Sequence, residues 1–337
     1  MTKPLSLPAL AAMLLLSACA SPLPAPTATP AGPTTAPSLT HIRLPVGYIP
    51  DIQFAPLYMA VAKGHYAQAG LEIEFDYKFE NDGVALVGAG TLPFAVASGE
   101  QVLLARAQGL PVVYVLAWYQ QYPVALIAKS EAGIRTPADM AGHSIGIPCL
   151  CGASYVGLTA LLNSAGLDES QVQLEVIGFN QIAALTADQT EAVVGYVSNE
   201  PVKLHASGVS IDVLNVADYA HLAANGLITN ETVLREQPEL VRAMVAATLA
   251  GMRDAATDPE EAYAVSAQFV EGLGSLDPAA REIQLEVLRR SIEMWLAPRL
   301  GWSDLDAWRN TETTLRSMGQ LTQPLDVSEA FSNAFIP

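Results

Sequence analysis

Short runs of apolar, β-branched and aromatic residues alternate with helix-patterned stretches along most of the chain, and this alternation is its tightest constraint on fold. Strand-like segments at 41–48, 72–79, 94–97 and 112–118 are separated by helical ones at 56–69, 84–88 and 101–108. Strands joined through helices run parallel in one sheet, with the helices laid over its faces. A second block opens after 124–129, with strands at 144–148, 173–177, 192–197 and 211–216 and helices through 155–165 and 201–206. From Gly226 onward the pattern is nearly all helical, with Pro238 at a helix start and Leu240, Val241, Met244, Val245 and Leu249 forming one apolar stripe. The expectation is an α/β protein with a second lobe inserted in the first and a helical C-terminal region. Residues 41–127 and 226–337 form lobe I and 128–225 lobe II, with crossings near 125–130 and 224–229.

The first 38 residues address the compartment. One positive charge at Lys3 precedes an apolar run from Leu10 to Leu16, too short to span a bilayer permanently, and then Ser17-Ala18-Cys19. Leu16-Ser17-Ala18-Cys19 resembles the lipobox of bacterial lipoproteins. Residues 1–18 then read as a signal peptide and Cys19 as the acylated first residue of the mature chain. Residues 19–40 form a Pro/Thr/Ala tether; its stretch 21–38 carries no charge and cannot bury a core, so it is a spacer of up to roughly 55 Å at about 3.1 Å per residue. The expected location is the extracytoplasmic face of the cell membrane, held by lipid. Against 34 Asp and Glu there are 17 Lys and Arg, a net charge of −17 that argues against a nucleic-acid partner, because binding a polyanion begins with a basic patch.

Gly47-Tyr48-Ile49-Pro50, Phe54-Ala55-Pro56-Leu57-Tyr58-Met59-Ala60, Lys63-Gly64-His65-Tyr66 and Phe94-Ala95-Val96-Ala97-Ser98-Gly99 follow one another at characteristic spacing. Together with Ile134-Arg135-Thr136-Pro137-Ala138-Asp139-Met140-Ala141-Gly142 they resemble periplasmic binding proteins of the thiamine-pyrimidine-synthase-like family, over 42 to roughly 260. The resemblance implies a two-lobed type 2 periplasmic-binding-protein fold that closes on a solute. It also implies partnership with the permease and ATPase of an ABC importer. Within the family, Phe79-Glu80-Asn81-Asp82, Gly152-Ala153-Ser154-Tyr155-Val156-Gly157 and Val194-Gly195-Tyr196 with Asn199-Glu200-Pro201 are most similar to riboflavin-binding receptors. A receptor for a thiamine pyrimidine precursor is the alternative. There the family commonly has Trp where this chain has Tyr48, and often His where it has Phe54. The fungal pyrimidine synthase of the same fold would place its donor His on Phe54 and its cysteine-rich run near 223–226. This chain has neither, so binding rather than catalysis is expected.

Ligands of open α/β sheets sit beyond the carboxyl ends of the strands. The candidate binding residues are therefore Tyr48, Asp51 and Gln53 after the first strand, and Phe79, Asn81 and Asp82 after the second. Ser98 and Gln101 follow the third, and Trp118 and Tyr119 the fourth; Tyr155, Tyr196, Asn199 and Glu200 come from lobe II. So many rings at strand ends suit a flat heterocycle, while the carboxylates and amides suit imide edges or sugar-alcohol hydroxyls. Gly152-Ala153-Ser154 opens a helix able to receive an anion, yet no Lys or Arg accompanies it, which disfavours a phosphate-bearing ligand. The five histidines have no metal-ligand spacing, and no cofactor or metal is expected. Cys149 and Cys151, one residue apart, read as small loop residues rather than a bonded pair.

Overall fold

The structure, a computed structural model, describes residues 39–337. The expected signal peptide, Cys19 and the tether up to Ser38 lie outside the described residues.

Ten strands follow in chain order: Thr40–Val46 (β1), Leu71–Tyr77 (β2), Ala95–Ser98 (β3), Val112–Ala117 (β4), Val124–Lys129 (β5), Ser144–Ile147 (β6), Gln173–Val176 (β7), Ala192–Tyr196 (β8), Ile211–Asn215 (β9) and Asn225–Asn230 (β10). They form two five-stranded sheets of the same pattern, β2-β1-β3-β10-β4 and β7-β6-β8-β5-β9. The helices of the first two blocks are Ala55–Ala62 (α1), His65–Gln68 (α2), Glu80–Gly88 (α3), Gly99–Ala107 (α4), Gly152–Ser164 (α5), Gln181–Thr186 (α6) and Glu200–Ala206 (α7). Glu231–Glu236 (α8), Pro238–Thr257 (α9), Pro259–Ser266 (α10), Pro278–Trp295 (α11) and Leu305–Ser317 (α12) complete the C-terminal region. Among the described residues, no helix is long and apolar enough to cross a membrane.

Several expectations are corrected. The sheets are mixed, because the strand that enters each one from the other is antiparallel: β10 pairs antiparallel with β3 and β4, and β5 with β8 and β9. β10 lies within the stretch read as helical; its run Leu227-Ile228-Thr229, with two β-branched residues, is buried, which suits a strand between two others. The boundary at 127/128 falls inside β5, a strand of the second sheet along its whole length. The two crossings are 118–123 and 216–224. The single helix expected over 56–69 is two, broken where Gly64 turns left-handed at φ 73°. α3 begins four residues earlier than expected, so Glu80, Asn81 and Asp82 are its first turn rather than loop.

One apolar core runs through both lobes, from Leu44, Leu57 and Met59 to Ile145 and Leu158. A smaller cluster around Ile127, Leu185 and Val193 fills the other face of the second sheet. α9 packs on α1, and the chain beyond α11 returns to β4, where Gly301 bridges Ala117 and Phe331 bridges Tyr114. α11 touches both the 3-10 turn Ile52–Phe54 of lobe I and α7 of lobe II.

Candidate binding site

The carboxyl ends of β1, β2, β4, β6 and β8 open on one cleft, and the loops that leave them line a cavity of about 880 Å³ including its mouth. Lobe I supplies Tyr48, Gln53, Phe54, Phe79, Glu80, Asn81, Trp118 and Tyr119; lobe II supplies Cys149, Cys151, Phe179, Gln181, Tyr196, Asn199 and Glu200. None of the lining residues is Lys, Arg or His.

The rings form a connected set. Phe54 packs edge-on to Trp118 at 5.9 Å between centroids, and Trp118 stacks on Tyr119 at 6.0 Å. Tyr119 meets Tyr196 edge-on at 6.3 Å across the cleft. At the mouth Phe179 touches Tyr48 at 4.8 Å and Phe79 at 5.1 Å. Burial first, and the Glu200 and Asp51 carboxylates second, push the Tyr48 phenol far up, so it is neutral and able to donate and accept.

Polar groups are fixed from beneath. Gln53 Nε2 donates to Ser198 Oγ at 3.1 Å, joining the lobes. Glu200 Oε2 accepts the Tyr196 N–H at 2.7 Å and lies so close to Gly195 that a Cβ there would stand 2.6 Å from the same oxygen. Burial raises the Glu200 carboxyl against the lowering effect of those N–H groups. Trp118 Nε1 and Asn199 Oδ1 are buried with no protein hydrogen-bond partner among the described residues. A donor and an acceptor of this kind on a cavity wall suit a ligand that carries the complementary pair.

The N-terminus of α5 does receive a carboxyl group, and it is that of Glu80 of the same chain. Glu80 Oε1 accepts the Ala153 N–H at 2.8 Å, and Gly152, at φ 66°, allows the approach: a Cβ there would sit 3.0 Å from that oxygen. The position at which a phosphate or sulfonate would enter the helix is therefore already taken by an acidic side chain.

Tyr48, Gln53, Phe79, Asn81, Trp118, Tyr119, Tyr196, Asn199 and Glu200 thus come together on the cavity. Five expected residues do not line it. Asp51 caps the Ile52–Phe54 turn, accepting the Gln53 N–H at 3.0 Å, and faces Lys203 Nζ at 3.6 Å. Asp82 is exposed on the first turn of α3. Ser98 is fully buried beneath the cavity between Glu80 and Glu100, and Gln101 is buried in α4. Tyr155 points away along α5, its hydroxyl bonded to Glu169. Phe179 and Asn225 were not anticipated. Phe179 follows the strand at 173–177, so the rule that found Tyr48 and Trp118 reaches it too; Asn225 opens a strand hidden in the helix-like pattern. Cys149 and Cys151 are disulfide-bonded, against expectation. The chain bends at Leu150, which faces solvent, and this brings the two Cα atoms to 5.2 Å, within the range a disulfide spans.

Two sheets in matched order around a ligand-sized cleft define a periplasmic-binding-protein fold. The chain belongs to the NMT1/THI5-like family, whose model matches residues 51–262. It is 43% identical to the riboflavin-binding protein RibY of Chloroflexus aurantiacus, over 96% of this chain and 95% of that protein. It is 27% identical to a formylaminopyrimidine-binding protein of Halalkalibacterium halodurans, over 88% and 91%. Among solved structures, the alkanesulfonate-binding protein SsuA of Xanthomonas axonopodis pv. citri, bound to MOPS, aligns with TM-score 0.68 at 17% identity, over 88% of this chain and 99% of that one. That last likeness is one of fold.

Proposed function

We propose that this chain is the riboflavin receptor of an ABC importer, tethered through acylated Cys19 at the extracytoplasmic face and delivering its ligand to a permease and ATPase. The observation that carries this reading is the meeting of rings from both lobes on one cavity without a basic lining residue. An isoalloxazine is planar, uncharged and rich in imide donors and acceptors, which matches stacked rings beside an unpartnered indole N–H and amide oxygen. The likeness to RibY over nearly the whole chain supports the same ligand.

The magnitudes suffice. Covering on the order of 300 Å² of ring face at about 25 cal/mol/Å² gives roughly 7 kcal/mol. Each aromatic contact adds about 0.5–1.5 kcal/mol. Nanomolar affinity needs about 12 kcal/mol after the cost of immobilisation, which a few paired polar groups complete. Glu80 and Glu200 disfavour a phosphorylated flavin, and Phe54, which has no hydrogen-bonding atom, offers nothing to a pyrimidine edge.

The test is a fluorescence titration of purified protein with riboflavin, FMN and formylaminopyrimidine. Quenching by riboflavin with much weaker FMN binding is expected. Heat stabilisation by the pyrimidine alone overturns the assignment in favour of the pyrimidine receptor. For the anchor, Cys19→Ala should release the protein from membranes; unchanged membrane retention would refute it.

A further inference from the structure

Beneath the cavity two glutamates share one serine, and the count of hydrogens is informative. Ser98 Oγ lies 2.7 Å from Glu80 Oε1 and also within hydrogen-bond contact of Glu100 Oε1. A hydroxyl has a single proton to donate, so two ionised carboxylates cannot both be satisfied by it. One of the pair must itself be a donor.

The surroundings decide which. Glu80 receives three N–H groups: Ala153 at 2.8 Å on Oε1, then Ser98 at 3.2 Å and the Asn225 side chain at 3.4 Å on Oε2. Burial raises the Glu80 carboxyl and the Ser98 and N–H contacts oppose that rise, so of the two Glu80 is the better placed to carry the charge. Glu100 is fully buried and its Oε2 has no partner. The titratable groups facing the pair are Tyr114 of β4, Tyr122 of the first crossing and Tyr196 of β8, all neutral phenols. Neither glutamate takes part in an ion pair among the described residues. Burial, then the Glu80 charge, pushes the Glu100 carboxyl up to about 8.

We propose that Glu100, Ser98 and Glu80 form a one-proton relay in which Glu100 stays protonated and donates to Ser98, Ser98 donates to Glu80, and ionised Glu80 fastens α5 of lobe II to lobe I. Glu80 is the latch and Glu100 a positioning residue that acts through it. The location of the proton is independent of what the cavity holds; the consequence for closure rests on the receptor reading. Since Glu80 grips the Ala153 N–H more strongly as an anion, and Glu100 when ionised repels it across Ser98, closure is favoured in a window bounded by acid below and by ionisation of Glu100 above. Gln at position 100 keeps a donor toward Ser98 and has no proton to lose. Gln at position 80 weakens the latch by replacing the anion with a neutral amide.

Infrared spectroscopy of the ligand-free protein tests the proton. The wild type should show the carbonyl band of a buried protonated carboxyl near neutral pH, and the band should fade with alkalinity and be missing from Glu100→Gln. Absence of the band in the wild type near neutral pH, or its persistence in Glu100→Gln, overturns the relay. Should that variant fail to fold, the wild-type pH series stands alone, and a band unchanged into strongly alkaline solution overturns it. Riboflavin titration then tests the latch. Glu80→Gln should bind roughly tenfold more weakly or worse, and Glu100→Gln should lose the alkaline fall-off of affinity that the wild type shows. Wild-type affinity in Glu80→Gln, or an unchanged alkaline limb in Glu100→Gln, refutes it. A wild type that shows the infrared band but binds no riboflavin keeps the relay and rejects the ligand.

Discussion

The two walls of the cavity are built differently. On the lobe I side Phe54, Trp118 and Tyr119 are nearly buried, and each leans on rings deeper in the same lobe: Phe54 on Tyr58 and Tyr77, Trp118 and Tyr119 on Trp295. On the lobe II side Phe179 and Tyr196 are half-buried, and their ring partners belong to the other wall: Tyr48 and Phe79 for Phe179, Tyr119 for Tyr196. The Tyr196 hydroxyl also reaches across, donating to Asn225 Oδ1 at 3.1 Å. One wall is a platform that the core holds in place whether or not the lobes meet. The other is a clamp whose rings find partners only when the cleft is shut, which is how a two-state jaw stores its preference for the closed form.

The largest effect should come from the platform. Trp118→Ala removes a stacking face and opens a hole against Trp295, so it should weaken riboflavin binding by a few kcal/mol and lower stability by about 3–5 kcal/mol. Titration and denaturant unfolding measure the two separately; loss of binding with no loss of stability would mean that the platform is not part of the core. Next in size is the pH dependence of the same region. The Glu100 carboxyl, raised from 4.5 to about 8 by burial and by Glu80, keeps in the folded state a proton the unfolded chain has released. Its stabilising share is fully present below about 4.5, drains as pH rises, and is gone above about 8. Unfolding free energy should fall across that window by an amount of order a few kcal/mol, and Glu100→Gln should flatten the fall. A wild-type curve already flat there would contradict the burial argument.

For the clamp the pattern should invert. Phe179→Ala deletes a ring whose two ring partners lie across the cleft, so binding should weaken by about 1 kcal/mol while the unfolding midpoint barely moves. A stability loss equal to that of Trp118→Ala would erase the distinction between the walls.

This asymmetry also explains what could be read in the sequence. Rings of the lobe I wall stand soon after strands with clear apolar runs, so Tyr48, Phe79 and Trp118 followed from the strand-end rule. The alternation of strands and helices gave two lobes for the same reason. What escaped depended on long-range pairing. β5 and β10 are short runs whose antiparallel setting is fixed by partners far along the chain, more than a hundred residues away for β10 and β3, and no local period records it. Glu80 resembled an ordinary loop carboxylate because the Ala153 N–H that it holds is 73 positions on. The Cys149–Cys151 bond depended on a bend at Leu150, which the spacing of the two cysteines does not disclose.

The smallest effect is expected at a residue that the sequence placed in the site. Tyr155 lies next to Ser154, which lines the cavity, but one step along a helix rotates the side chain by about 100°. Its hydroxyl bonds to Glu169 instead, and that carboxylate, with burial second, pushes the phenol up to about 12. Tyr155→Phe removes one hydrogen bond near the surface of lobe II, well apart from both walls. Riboflavin affinity should be unchanged and stability should drop by about 1 kcal/mol or less. A binding loss as large as that of Phe179→Ala would place Tyr155 among the clamp residues and turn the first turns of α5 toward the ligand. That would also undo the account of Glu80, because a helix so rotated could not present its Ala153 N–H to the other lobe.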